Sequence, residues 1–212
     1  WSSDVCSSDL GFSADENILN STRSTDFITP KGSISHTFRS AVLDLSRALP
    51  FARKLVNSGR LSVPSFLTNS VLNTPDSESF SGDMVPGAPM DDAPLMLNGQ
   101  PVWLIDHLGG QFQLLLFCED ASHLSEAMQR QLVGLADAAL PVQTLVIARR
   151  GAVPGLKVLL DLEGLAFARY DAHDGTCYLA RPDQHVAARW RAPEVARIVA
   201  ALARATAQLM ET

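Results

Sequence analysis

Cysteine is scarce in this chain of 212 residues, and Cys6, Cys118 and Cys177 are odd in number, widely separated and without a C-x-x-C pair. That excludes a disulfide framework and a zinc-ribbon spacing, and it fits a reducing cytoplasm. Long hydrophobic runs are lacking as well. QLLLFC and TLVIA are strand-length and polar-flanked, short of the ~18 apolar residues a membrane span needs. Cationic charge is not in excess: 17 Lys and Arg stand against 23 Asp and Glu, for a net charge of -6. No overall field draws a phosphate backbone, which argues against a dedicated nucleic-acid binder and leaves a soluble globular composition without a membrane partner.

Several chemical signatures are missing too. There is no G-x-S-x-G elbow for nucleophilic hydrolysis, and Ser58-Gly59-Arg60 and Ser81-Gly82-Asp83 stand in helix-stop and linker contexts. Neither G-x-G-x-x-G nor G-x-x-x-x-G-K-[ST] occurs, and Gly151 with Gly155, the nearest lookalike, lacks the Lys. An initiator Met is absent, while WSSDVCSSDL has no basic start, no apolar stretch and a near-duplicated SSD. Residues 1–10 are therefore expected to be a non-native scar, followed by a segment that begins inside a longer protein.

What is present falls into three compositional zones. In the first, residues 11–59, Ser13–Ser24 suits a short helix. Ser35 suits the cap of another, with Phe38, Ala41, Val42, Leu45 and Leu49 at three-and-four spacing until Pro50. Phe51, Leu55 and Val56 continue it, and Asn57-Ser58-Gly59 supplies a stop. The second zone, 60–94, is rich in Pro, Ser, Asn, Asp and Gly and reads as a linker or surface-hugging crossover.

The third zone, 95–212, changes rhythm. Strands are expected at Val102–Ile105, Phe112–Cys118, Val142–Ala148, Thr176–Ala180 and His185–Trp190. Gly109-Gly110 would turn the first into the second, and Pro182-Asp183-Gln184 would close the last pair. Ser122 suits the cap of a helix carrying Leu124, Met128, Leu132 and Leu135, and Pro193-Glu194 opens another carrying Val195, Ile198, Val199, Leu202 and Leu209. A βαβ unit followed by ββα is the order of an α/β, thioredoxin-like mixed sheet flanked by helices.

That fold places reactive thiols where the strand ending at Cys118 meets the next helix. Here the residues read Cys118-Glu119-Asp120-Ala121, so the resolving position holds Ala121 and no dithiol cycle can run. A stand-alone thiol redox module using Cys118 alone is the alternative function, opposed by the neighbouring acids that raise a thiol pKa. Cys177 reads as core. His107, His123, His173 and His185 do not fall at ligand spacings, and Asp161, Glu163, Asp171 and Asp174 look like turn formers. Arg149-Arg150 reads as a solvated strand end. No catalytic, cofactor-binding or metal-binding residue is assigned.

Four segments in order carry a family resemblance: SADENILNSTRSTDFITP; PFARKLVNSGRLSVPS with LNTPD; PGAPMDDAPL followed by LIDHLGGQFQLLLF; and YLARPDQHVAARW before a last helix. Together they resemble the C-terminal part of FAD-dependent aromatic monooxygenases of the phenol, 3-(3-hydroxyphenyl)propionate and polyketide hydroxylase type. The resemblance implies that 11–59 is the helical tail of a missing N-terminal flavin-binding module, and that 95–212 is the appended thioredoxin-like domain. It implies an intact cytoplasmic parent using FAD and NAD(P)H to hydroxylate aromatic substrates, and a homo-oligomer. This fragment would bind neither cofactor and would be structural or oligomerising. Gln184 departs from the family, whose hairpin often carries Gly, and this leaves the turn type open.

Overall fold

The computed structural model describes residues 3–56, 64–192 and 194–208. Contacts divide the chain into a unit of Ser7–Ser65 and a unit of Phe66–Thr212 with Trp1–Cys6.

The first unit is helical. Helix α1 spans Ser3–Ile28, well beyond the expected Ser13–Ser24, and runs through most of the scar-like residues. They contain no Pro, and the single Gly11 costs a helix only about 1 kcal/mol. Helix α2, Ser33–Ala48, starts two residues before the expected cap at Ser35, with Gly32 extended at its N-cap. Pro50 ends it. The residue before a proline is pushed out of helical space, and Leu49 accordingly sits at φ -119°, ψ 121°. Pro50 then opens helix α3, Pro50–Val56, because its fixed φ suits a first helical position. The carbonyls left without partners at the end of α2 are taken by Arg53, whose guanidinium donates to Ser46 O at 2.9 Å and Arg47 O at 3.2 Å. Val42 and Ala52 are buried, whereas Ile34, Phe38, Leu45 and Phe51 are exposed. The expected stop at Asn57-Ser58-Gly59 lies outside the described residues.

The second unit is a thioredoxin-like α/β domain. Among the described residues its strands are β1 (Pro94–Leu97), β2 (Gln100–Trp103), β3 (Phe112–Asp120), β4 (Val142–Arg150), β5 (Lys157–Leu160), β6 (Cys177–Ala180) and β7 (Val186–Trp190). They form one mixed sheet in the order β2-β1-β5-β4-β3-β6-β7. Strand β3 is parallel to β4, which is parallel to β5, while β6 is antiparallel to β3 and to β7. Helices α4 (Glu126–Gly134), α5 (Leu165–Arg169) and α6 (Val195–Ala205) complete it.

Alternation along β3 builds two cores. Leu115 and Phe117 face a cluster with Leu145, Ile147, Phe167, Tyr170 and Tyr178; Leu114 and Leu116 face another with Leu132, Leu135, Ile198 and Leu202. A strand covered on both faces needs an unbroken apolar run, and QLLLFC is that run. On α6, Ile198 and Leu202 are buried and Val199 is exposed; Pro193 and Leu209 lie outside the described residues.

Four expectations shift. The strand expected over Val102–Ile105 ends at Trp103, and a 3-10 turn covers Leu104–His107. Asp92 Oδ1 accepts from Ala93 N and Ile105 N at 2.8 and 3.0 Å and bends the chain there. The partner of β2 is β1, joined through Asn98 and Gly99 at φ 50° and 78°, so Gly109-Gly110 is a separate loop. Ser122 does not cap α4. Asp120 captures its N–H and hydroxyl, and Ser125 caps the helix by accepting from Met128 N at 3.3 Å. Finally, residues 66–93, inside the proline-rich zone, lie within the second compact unit, with Met84, Ala88, Met90 and Ala93 in its core. Prolines forbid regular structure there, but bonds to β7 hold the segment: Thr74 N to Ala187 O at 2.9 Å, Gly87 N to Val186 O at 2.7 Å and Val186 N to Ala88 O at 2.9 Å.

Candidate functional site

The candidate thiol of the sequence stands near the C-terminal end of β3, where Cys118, Glu119 and Asp120 close the strand and Ala121 follows it. Cys118 is buried opposite Ala148 of β4. Burial, and then the charges of Asp174, Asp120 and Glu119, push its thiol up to about 12, so the nucleophilic thiolate is suppressed at neutral pH. Ala121 is fully buried.

Asp120 closes the site. Its Oδ1 accepts from Ser122 N at 3.0 Å and Ser122 Oγ at 2.5 Å, its Oδ2 accepts from Arg150 Nε at 2.8 Å, and His123 stands 3.9 Å away. The Ser122 hydroxyl, then Arg150, hold this carboxyl well below the usual carboxylate range. Gly151, at φ 85°, lets the backbone come close: a Cβ there would stand 2.3 Å from Asp120 Oδ1 and 2.9 Å from Ser122 N. On the other side Asp174 Oδ1 accepts from Glu119 N at 2.9 Å. The N–H groups of Glu119 and Ser122 are thus taken by carboxylates of the chain itself. The carboxylates of Glu119, Asp120 and Asp174 gather at this end, and that acidic setting does not fit a dinucleotide phosphate.

The remaining candidates stay apart. Cys177 is fully buried, and burial raises its thiol to about 12. His107 Nδ1 lies 3.0 Å from Lys157 Nζ, and His185 Nδ1 lies 3.4 Å from Asp183. Among the described residues no group of three His, Cys, Asp or Glu is arranged to hold a metal. Asp161 is buried and accepts from Phe167 N at 2.9 Å, and Asp171 bridges to Arg191 at 2.5 Å, so both brace the domain. Arg150 is tied to Asp120, while Arg149 lies over the Phe167 ring with Cζ 4.2 Å from its centroid. Among the described residues no helix is long and apolar enough to cross a membrane.

Sequence reasoning misses one polar cluster, made by Arg189, Arg191 and Arg197 with Asp76, Glu78 and Phe80. Its signal is arginine at alternate positions flanking Trp190, with an acid-x-acid pair in the proline-rich zone.

No family model matches the chain, and no curated protein matches it. Solved structures do. The flavin-dependent monooxygenase PieE, in complex with FAD and substrate, matches with a TM-score of 0.55 and 22% identity, over 86% of this chain and 31% of that one. Aklavinone-11 hydroxylase, in a ternary complex with FAD and aklavinone, matches with a TM-score of 0.51 and 16% identity, over 95% of this chain and 39% of that one. A thiol peroxidase from Chromobacterium violaceum matches with a TM-score of 0.47 and 14% identity, over 57% of this chain and 88% of that one. At these identities the likeness is one of fold, and the chain spans less than two fifths of the two monooxygenases.

Proposed function

We propose that this chain is the C-terminal part of a cytoplasmic, homo-oligomeric, FAD- and NAD(P)H-dependent monooxygenase that hydroxylates aromatic substrates. In this reading residues 11–59 pack as the tail of an N-terminal flavin-binding module. The sheet domain is non-catalytic and serves stability or subunit contact. The observation that carries the proposal is the extent of the match to two FAD-bound monooxygenases, over 86% and 95% of this chain. The flavin would be held in the rest of the polypeptide, where it supplies the oxygen chemistry that side chains lack. In this reading the sheet domain contributes no step to it, which the burial of Cys118 and the internal bonds of Asp120 support.

The thiol redox alternative draws no support from Cys118, which is buried and has its thiolate suppressed. The deciding experiment recovers the coding sequence upstream of Gly11 in the same frame and expresses the extended chain. A strand-turn-helix with G-x-G-x-x-G, flavin absorbance in the purified protein and NAD(P)H oxidation stimulated by an aromatic substrate are expected. A stop codon, or an unrelated colourless product, overturns the reading.

A further inference from the structure

A segment of this chain lies in a basic slot on the β7 edge as a peptide ligand would. Between the backbone anchors at Thr74 and at Gly87-Ala88, side-chain bonds do most of the fastening. Asp76 takes Arg189 through both oxygens at 3.0 and 2.6 Å. Glu78 takes Arg197 Nη1 at 2.7 Å and Arg191 N at 2.5 Å, filling an N–H of the sheet edge as a neighbouring strand's carbonyl would. Ser77 Oγ accepts from Arg197 at 2.5 Å, and Ser79 O accepts from Arg191 at 3.2 and 2.8 Å. The Phe80 ring lies against two guanidiniums, 4.4 Å from Arg189 Cζ and 3.7 Å from Arg191 Cζ, and meets Tyr178 edge-on at 6.0 Å.

Two features make this occupant separable from the slot. The Asp76 and Glu78 side chains are 28% and 27% exposed, so water reaches the latch. The walls, by contrast, belong to β7 with its end and to α6: Arg189 stands on β7, Arg197 on α6, and Arg191 is held outside the segment by Asp171 at 2.5 Å. A segment fastened by side chains opens at lower free energy than the sheet beneath it.

We propose that residues 75–83 are a detachable occupant of this slot, and that the vacated slot binds an extended peptide of acid-x-acid-x-aromatic pattern. Strand-edge N–H groups and arginines are the usual means of holding extended acidic segments. The inference stands apart from the flavin reading, since it uses only the sheet domain.

The test uses the full chain carrying Asp76→Asn and Glu78→Gln, which weakens the resident latch. The probe is a labelled peptide of residues 74–83, Thr-Pro-Asp-Ser-Glu-Ser-Phe-Ser-Gly-Asp, followed by fluorescence anisotropy at low salt. Saturable binding is expected, with wild type at least about tenfold weaker because its own segment competes. Adding Arg191→Ala should abolish binding, as should the peptide with Asn and Gln in place of its first two acids. A second variant, Phe80→Ala, keeps both carboxylates; its amides over 75–83 should exchange about tenfold faster while those of β3 are unchanged. A latch variant whose β3 amides stay protected but which does not take the peptide overturns the proposal. So does loss of fold in both variants, which would make the segment core rather than occupant.

Discussion

The side-chain amide of Gln184 donates to the carbonyl oxygen of Leu108 at 3.0 Å. Gln184 closes the β6–β7 hairpin at φ 63°, a conformation costing a non-glycine residue about 1–2 kcal/mol. It follows the turn closed by its own N–H to Arg181 O at 3.0 Å, and Arg181 N returns to His185 O at 2.8 Å. This is a three-residue loop ending in a left-handed residue, which answers the turn type left open by the sequence. The bond to Leu108 offsets the strain, worth about 1 kcal/mol. Replacing Gln184 with Gly removes strain and bond together, so stability in urea should change by less than about 1 kcal/mol. Gln184→Ala keeps the strain and loses the bond, and should lose about 1 kcal/mol. Equal losses in the two variants would refute this account.

Glycine is required at 151 for a different reason. A Cβ there would meet Asp120 Oδ1 at 2.3 Å and the backbone N of Ser122 at 2.9 Å, with φ at 85°. Gly110 shares a positive φ of 75° but has open space around it. Gly110→Ala should therefore cost about 1 kcal/mol and Gly151→Ala at least about 2, measured by denaturant unfolding. Matching values would mean that the Asp120 turn yields freely.

The sheet's centre was legible in the sequence because its residues carry a doubled signal. Phe112–Cys118 and Val142–Ala148 are apolar runs of strand length, and a strand buried on both faces leaves no other reading. The two strands it hides, β1 and β5, are short and poorly marked: β1 opens on Pro94 at the end of the proline-rich zone, and β5 is four residues beginning with Lys157. Asn98-Gly99 between PLML and QPVW was the available hairpin signal for β1. The end of β3 was legible through Ala121, which rules out a dithiol by composition alone. What stayed hidden is Asp120's capture of Ser122 and the Asp76, Glu78 and Phe80 contacts with the arginines. The arginine contacts join residues 113 and 119 positions apart, which no local pattern links; Asp120 and Ser122 are only two apart, and there a side-chain turn takes the serine that its spacing offers to the helix.

Thiol chemistry offers a direct check on the end of β3. With Cys6 replaced by Ser, Cys118 and Cys177 remain, both buried and both raised to about 12. At pH 7.4 in native buffer neither should react with an aromatic disulfide reagent at the rate of free cysteine. Reaction should instead track unfolding, and both should appear at once in denaturant. A single fast equivalent, lost in a Cys118→Ala variant, would restore the redox reading.

Acid should loosen the hairpin in a defined window. Burial raises the Asp183 carboxyl, but bonds to His185 and the charge of Arg181 outweigh it and bring the carboxyl down to about 2. A depressed carboxylate contributes stability above its unfolded pKa, about 3.9, and that stability is lost as pH falls through the folded value. Glu78 and Asp171 are lowered as well, Glu78 by the Arg191 backbone N–H and Arg197 against its burial, and Asp171 by the Ser81 N–H and Arg191. The Tm should hold steady from neutral pH to about 5, then fall steadily towards pH 2. Asp183→Asn should be less stable at pH 7 yet lose less on acidification, so the two curves converge as pH approaches 2. Parallel curves over pH 4 to 2 would show that Asp183 takes no part in the acid response.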